Sequence, residues 1–363
     1  MKIKAAVFRQ VNQALQIEDV EMADPGPEEV LVKTMACGVC HSDLHTQQGS
    51  IPAPMPTILG HEPAGIVLSV GTRVRHLVPG DHVIACTSMF CGACMQCVQG
   101  RPHLCTDRGA NQRGRDEPPR VTRNGELIHP FVDLGGFAEA MLLHQRAVVK
   151  IDKDIPFDRA ALVGCAVTTG VGAALNTAQV VPGSSVVVFG AGGVGISVIQ
   201  GARIAGARQI IAVDLLDQKL TSARHFGATD TINPANCDVV RTIKKMTNGG
   251  ADYAFEAVGL VKLLEQAFYC LAPRGTAIVV GASAQGQVLS LNPAHFFAEK
   301  RIIGCMMGSN RFTLDAPRYL EFYRQGRLDL DAMVTRHHRL DDISDAFRAM
   351  SAGEVIRTVL TFD

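Results

Sequence analysis

The run Ser184-Ser-Val-Val-Val-Phe-Gly-Ala-Gly-Gly-Val-Gly195 is the most informative stretch of this chain. Its first half is an unbroken apolar β-type run, as a strand covered on both faces requires. Its second half, Gly190-Ala-Gly-Gly-Val-Gly195, fits G-x-G-x-x-G and opens an apolar helix predicted through Ala205. Three glycines match easily in a glycine-rich chain; the strand before them and the helix after them supply the mechanism. The turn stays tight, the backbone can approach a pyrophosphate, and the helix N-terminus faces its charge. An acid is expected about 20 residues on, at the end of the next strand. Asp214 stands 19 positions after Gly195. A carboxylate there accepts both ribose hydroxyls and repels a 2′-phosphate, which favours NAD over NADP.

Downstream, β-type runs at residues 209–214, 251–258, 276–281 and 301–307 alternate with helical patterns at 217–226, 239–246 and 261–271. That alternation implies βαβ units, a parallel sheet and right-handed crossovers. Upstream, residues 1–166 read as short β runs punctuated by Gly and Pro, such as Val30-Leu-Val-Lys-Thr34, Gly65-Ile-Val-Leu-Ser-Val70 and Asp81-His-Val-Ile-Ala85. This part is expected to be irregular and mostly antiparallel, with a polar surface excursion at 108–133. A helical stretch at 316–325 leads to a β tail, Ile356-Arg-Thr-Val-Leu-Thr-Phe362. The predicted fold class is α/β. An irregular β-rich domain, residues 1–166 with 307–363, surrounds an inserted doubly wound domain, residues 167–306.

A length of 363 residues suits two domains and a core that needs no staples. Lys plus Arg and Asp plus Glu are 35 each, so no basic excess points to nucleic acid or an anionic membrane. The N-terminus, Met1-Lys-Ile-Lys-Ala-Ala-Val-Phe8, alternates like a strand and lacks the apolar core of a secretion signal. Apolar runs are read as broken by Gly or charge before the roughly 18 residues of a membrane span. These readings predict a cytoplasmic protein with neither a membrane nor a nucleic-acid partner. Eleven cysteines, an odd number, then point to thiols or metal rather than disulfides.

Cys91, Cys94, Cys97 and Cys105 are spaced C-x2-C-x2-C-x7-C. Four thiolates this close can surround one tetrahedral zinc and leave no position for substrate, which makes a structural site. Four ordinary buried thiols, or an iron–sulfur cluster, are the alternatives. Cys40, His61 and Cys165 lie far apart, and spacing alone does not pair them. Two thiolates and one imidazole would leave a fourth position open, as catalytic zinc requires. Their contexts are Gly38-Val-Cys-His-Ser-Asp-Leu-His45, Gly60-His-Glu62 and Gly164-Cys165.

On these motifs, and along nearly its whole length, the chain resembles the zinc-dependent medium-chain alcohol dehydrogenases in their dimeric, long-loop, two-zinc form. The resemblance implies a GroES-like catalytic domain, a Rossmann domain, two zinc ions per subunit and NAD. It assigns the catalytic zinc to Cys40, His61 and Cys165, and the structural ion to Cys91, Cys94, Cys97 and Cys105. Asp43 is implied as the partner fixing the His61 tautomer, and Glu62 as a transient ligand behind the metal. The implied cofactor set is His41, Thr169, Gly190, Gly192, Gly193, Val194, Gly195, Asp214, Lys219 and Arg357. Lys219 is assigned to ribose, and Arg357 to pyrophosphate. His41 stands where many relatives carry Arg, which would make cofactor binding weaker and pH-dependent. Ser42 and His45 match a relay that carries the alcohol proton by way of the nicotinamide ribose to water. Ile51, Thr87, Phe137 and Ala282 match pocket positions, and the small Thr87 and Ala282 point to a bulky primary alcohol or its aldehyde, aromatic or terpenoid.

The implied reaction is reversible hydride transfer between that alcohol–aldehyde pair and NAD, with zinc acting as the Lewis acid that favours alkoxide. Two neighbouring readings use the same residues: a nicotinoprotein that never releases its NAD, and a dehydrogenase of hydroxymethyl-thiol adducts. A non-catalytic zinc-binding module is disfavoured, because no ligand, relay or cofactor residue is missing. Arg301-Ile-Ile-Gly-Cys-Met-Met-Gly308 matches the edge strands that relatives pair across a two-fold axis, with an internal strand as the alternative. The expected assembly is a homodimer.

Overall fold

In the computed structural model, which describes residues 1–114, 116–284 and 286–363, the chain forms two units. The first is Met1–Cys165 with Arg311–Glu321 and Leu330–Asp363; the second is Ala166–Asn310 with Phe322–Asp329. The return expected at residue 307 therefore falls at Arg311, and a short segment stays behind. Side-chain contacts within the second unit explain the detour. The Gln200 carboxamide accepts from Asp329 N–H (2.7 Å) and donates to its carbonyl (3.3 Å), while Arg203 donates to the Arg327 carbonyl (2.8 Å).

Strand Glu29–Val39 is the hub of the first unit. It pairs antiparallel with Glu62–Val70, Ala140–His144 and the tail strand Arg357–Thr361. The register puts Gly38 opposite Glu62 and Val39 opposite Thr358. Glu62, Arg357 and the residue after Val39, which is Cys40, thereby gather at one end of this sheet. A second sheet is built on Lys2–Phe8 and Gln16–Met22, whose inward residues Ile3, Ala5, Val7 and Val20 join one core with Phe137 and Phe347.

The excursion at 108–133 is largely exposed, as expected, and carries short strands of its own. Val121–Arg123 extends the second sheet by pairing with Gln16–Met22, and Glu126–Leu127 pairs with it in turn. Glu29 anchors the segment before it: its carboxylate accepts from Arg113 Nη2 (2.6 Å), Arg120 Nε (2.7 Å) and Gly26 N–H (2.8 Å).

In the second unit, strands Ser185–Phe189, Gln209–Val213, Asp230–Ile232, Ala251–Glu256, Leu271–Val279 and Arg301–Gly304 form one parallel sheet. Numbered one to six in chain order, they lie 3-2-1-4-5-6, the doubly wound arrangement in which strand order reverses beside strand one. Val186, Val187 and Val188 are fully buried, each contributing about 1.5–3 kcal/mol of hydrophobic stabilisation. Helix Thr168–Gly172 packs so closely on helix Gly193–Ile204 that a Cβ on Gly170 would lie 2.4 Å from the Val194 carbonyl.

Asp158, Arg159, Gly164, Gly170 and Gly172 break Phe157–Thr177 in the sequence, as expected, yet the segment folds as one long helical run. It is a helical run of 21 residues, long and apolar enough to cross a membrane, and 83% of its most apolar window is buried. Packing inside the protein accounts for that composition. Two π-helical turns interrupt it, at Val163–Val167 and Ala173–Thr177.

Candidate active site

Strand Glu29–Val39 runs into Cys40, the N-cap of helix His41–Gln47. Asp43 ties three segments together from within the core. Its Oδ2 accepts from Cys40 N–H (3.2 Å), its Oδ1 accepts from Gly60 N–H (3.0 Å), and the same Oδ1 lies 3.0 Å from His61 Nδ1. With Nδ1–H donated to Asp43, Nε2 of His61 is left to face a cation. Gly60 is required here: its φ is +91°, and a Cβ would stand 2.5 Å from the Phe137 nitrogen. Cys165 comes from the first π-turn, the kind of irregularity that re-aims one side chain within a helix. Its neighbour Gly164 lets the turn pass the Ala85 carbonyl, which a Cβ would approach to 2.7 Å.

The ligand atoms of Cys40, His61, Glu62 and Cys165 lie within 4.8 Å of one another, and all four residues are buried. Two sulfurs and an imidazole nitrogen at this spread fit zinc, whose tetrahedral ligands stand roughly 3.3–3.8 Å apart given the usual bond lengths. Glu62 adds a second sign. Its Oε2 accepts from Arg357, while its Oε1 is buried without a partner. Burial lifts the Glu62 carboxyl to about 7. The Cys165 hydrogen bond, and then the His61 charge, hold the Cys40 thiol well below its ordinary range. Burial opposes an imidazolium at His61, but the Asp43 and Cys40 charges outweigh it and raise that group.

The four-cysteine lobe is equally formed. Sγ–Sγ distances are 3.9 Å for Cys91–Cys97, 3.5 Å for Cys94–Cys97 and 3.9 Å for Cys94–Cys105. Zinc–sulfur bonds of about 2.3 Å put tetrahedral sulfurs about 3.8 Å apart, so this cage also fits zinc. Backbone N–H groups of Ala93 and Cys94 point at Cys91 Sγ, and that of Cys91 at Cys105 Sγ, as thiolate ligands need.

In the second unit the three motif glycines play three different parts. Gly190 takes φ +93° in the turn; Gly192 has nothing within 4 Å of a would-be Cβ; and a Cβ on Gly195 would stand 1.8 Å from the Gly190 carbonyl. Tight turn, open approach and close packing are what a pyrophosphate cradle asks of its glycines. Asp214 follows strand Gln209–Val213, accepting from Ala191 N–H (2.8 Å) and Leu216 N–H (3.0 Å). The carboxylate is thus fixed to the glycine loop itself. Lys219 lies in the first turns of helix Asp217–Phe226, and Thr169 donates to Met307 Sδ (3.5 Å).

The other expected residues divide. Ser42 Oγ lies 3.9 Å from Cys40 Sγ, and His45 follows one turn later, half-buried, its ring edge-on to exposed His41. The His45 carbonyl accepts from Ile51 N–H (3.2 Å). Thr87 is half-buried and Ala282 exposed. Phe137 is 0% exposed, packed beneath Gly60 and against Phe347, and does not line open space. Phe131, which sequence reasoning passed over, turns its ring edge to His61 at 6.0 Å between centroids. Arg357 is buried against Glu62. Nothing local in either stretch marks these last two contacts.

The comparisons agree with this geometry. An alcohol dehydrogenase GroES-like domain model matches residues 26–153, and a zinc-binding dehydrogenase model matches residues 193–324. S-(hydroxymethyl)glutathione dehydrogenase of Paracoccus denitrificans is 38% identical, with each chain covered over 100% of its length. Benzyl alcohol dehydrogenase of Acinetobacter calcoaceticus superposes with a TM-score of 0.95 at 32% identity, again over 100% of both chains. A structure from Sinorhizobium meliloti with NADP bound gives 0.84 at 27% identity, over 100% of each chain. With its two thiolate cages, its glycine cradle and relatives matched end to end, the chain belongs to the zinc-dependent medium-chain alcohol dehydrogenase family and is an oxidoreductase.

Proposed function

We propose that the chain interconverts a primary alcohol and its aldehyde with NAD, at Cys40, His61 and Cys165, and that it holds a second zinc in the four-cysteine lobe. The observation that carries this reading is the buried Cys40–His61–Cys165 donor set, with Glu62 Oε1 unpartnered beside it. When bound, zinc supplies a Lewis acid that makes a hydroxyl easier to deprotonate, and NAD supplies the hydride acceptor. The protein's own groups do the rest. Asp43 keeps His61 in the tautomer that presents Nε2. Ser42 Oγ accepts the alcohol proton as it passes its own on toward His45, which, at the half-buried end of the same helix, releases a proton to solvent. Asp214 supports NAD over NADP, because a fixed carboxylate repels a 2′-phosphate.

An aromatic alcohol is the favoured substrate. The Phe131 ring beside His61 offers an apolar wall, in the place once expected of Phe137. The benzyl alcohol dehydrogenase relative supports the same choice, whereas the S-(hydroxymethyl)glutathione dehydrogenase relative supports the thiol-adduct reading. NAD and NADP reduction measured over ethanol, benzyl alcohol and formaldehyde with glutathione, each with and without a chelator, separates them. The expected order is benzyl alcohol above ethanol, NAD above NADP, and loss of turnover with the chelator. Activity falling from ethanol to benzyl alcohol, or appearing only with the glutathione adduct, overturns the aromatic reading. Cofactor released only on denaturation identifies a nicotinoprotein.

Eleven free thiols, six of them in the two cages, support a cytosolic setting. Strand Arg301–Gly304, the last in its sheet, with exposed Phe297 and Val288 in the segment before it, supports a homodimer. Light scattering should give twice the 38.8 kDa chain mass. A monomer would remove the dimer from this account.

A further inference from the structure

Arg120 is 8% exposed and joins three separate pieces of the first unit. Its Nε donates to Glu29 Oε1 at the head of strand Glu29–Val39 (2.7 Å), and its Nη2 donates to the Asn111 carbonyl (2.9 Å). Its Nη1 forms an ion pair with Asp133 Oδ1 at 3.6 Å. Asp133 ends the turn Phe131–Asp133, whose first residue sets its ring against His61, 6.0 Å between centroids. That turn is strained. Val132 takes φ +47° and Asp133 φ +61°, left-handed backbone that costs any residue with a Cβ, a β-branched one most of all. Such backbone persists only where its surroundings over-determine it. Leu134 N–H (2.9 Å) and Gly135 N–H (3.3 Å) both donate to the Phe131 carbonyl and close the turn locally. Val132 is exposed, so its side chain anchors nothing. Among the described residues, the charged hold on the turn is Arg120 acting on Asp133.

We propose that Arg120 is a positioning residue for substrate: by holding Asp133 it fixes where the Phe131 ring stands beside His61, and so sets the preference for an aromatic over a short alcohol. The inference rests on the aromatic reading above and deepens it. Arg120 acts through Asp133 and Phe131, not on the reacting atoms. Once Asp133 is released, the turn relaxes toward ordinary backbone, and Phe131, which begins the turn, moves with it. A benzyl ring that packs on that wall loses contact. Ethanol, too short to reach far along it, loses little.

Replacing Arg120 would also strip Glu29 of a partner, so the test is made from the Asp133 side, in the whole zinc-loaded protein. Asp133→Asn keeps the shape and tolerates left-handed φ but gives up the charge; Asp133→Gly takes that φ without strain and gives up the side chain. Asp133→Glu keeps the charge. The Asn and Gly variants should raise KM for benzyl alcohol about fivefold at unchanged kcat, part of the roughly 10–200-fold that one methylene of pocket contact commands, and leave KM for ethanol within about twofold. Asp133→Glu should stay near the parent. All three should melt close to the parent, because a role in stability alone would move the melting temperature and not the benzyl-to-ethanol ratio. Hydrogen exchange read by mass spectrometry gives a second measure, independent of turnover. Peptides holding Leu134 and Gly135 should exchange faster in Asp133→Asn and at the parental rate in Asp133→Glu. A benzyl-to-ethanol ratio unchanged in Asp133→Asn overturns the positioning role, whether or not exchange quickens, and so does an equal rise in both KM values. A parent that prefers ethanol sinks the aromatic reading by itself, and the shift of the ratio in Asp133→Asn still decides whether Arg120 positions the wall.

Discussion

Ser42 and His45 are three residues apart on helix His41–Gln47 and therefore share a face, with Ser42 near the Cys40 sulfur and His45 reaching partly into solvent. In the proposed relay, a proton passed on by Ser42 reaches His45 as the titratable group on that face. His45→Gln should slow turnover at neutral pH by about tenfold, less than the roughly 10²–10⁴-fold of a positioned acid–base group, because water can replace part of its work. The loss should shrink as pH rises, and added imidazole should restore part of it. A pH–rate profile identical to that of the parent removes His45 from the reaction. The four-cysteine set was legible from its spacing, whereas Cys40, His61, Cys165, Ser42 and His45 were singled out only through the family resemblance that their motifs carry. Arg357 and Glu62 were not paired in the sequence, being 295 positions apart and joined only by sheet register. Phe131 and Phe137 are alike as letters; which one faces His61 depends on how the chain turns at Phe131–Asp133, where Val132 and Asp133 both take positive φ.

At the scale of elements, Glu29 decides whether the excursion stays on the sheet. Burial opposes its charge, but hydrogen bonds from Arg113 and Arg120 win and hold the carboxyl below the ordinary 4.5. A carboxyl depressed in the folded state contributes stability that is present above the unfolded value and lost as pH falls through the folded one. Glu29→Gln should therefore cost about 3 kcal/mol at pH 7, the scale of breaking a buried pair from one side. The gap to the parent should close below pH 4.5. Calorimetry measures the loss, and limited proteolysis should locate new cleavage between Arg108 and Arg120. An unchanged melting temperature with no new cleavage refutes the anchor. The strands and helices of the second unit could be read ahead because polarity switches cleanly between periods of two and of 3.6. Phe157–Thr177 could not: apolar on nearly every face and broken by π-turns, it shows no period, so its length was missed.

For the whole molecule, two metal cages in one chain make a prediction about stoichiometry that neither cage makes alone. The four-cysteine lobe offers four sulfurs and no vacancy, so an ion bound there would hold a loop in place. The Cys40–His61–Cys165 set is buried on strands and helices that have their own cores, so an ion bound there would be dispensable for folding. Structural zinc in small peptides contributes about 10–16 kcal/mol at neutral pH, and losing it unfolds what it closes. Elemental analysis should find two zinc ions per chain. Cys165→Ser should keep one, lose turnover and melt close to the parent. Cys97→Ser should also keep one, but melt lower and aggregate from the exposed lobe. Both ions should leave as pH falls, because protons compete for the thiolates. One zinc per chain, confined to the lobe of an enzyme that still turns over, would leave the buried cage as a cluster of core residues and send the search for the reactive centre elsewhere in the fold.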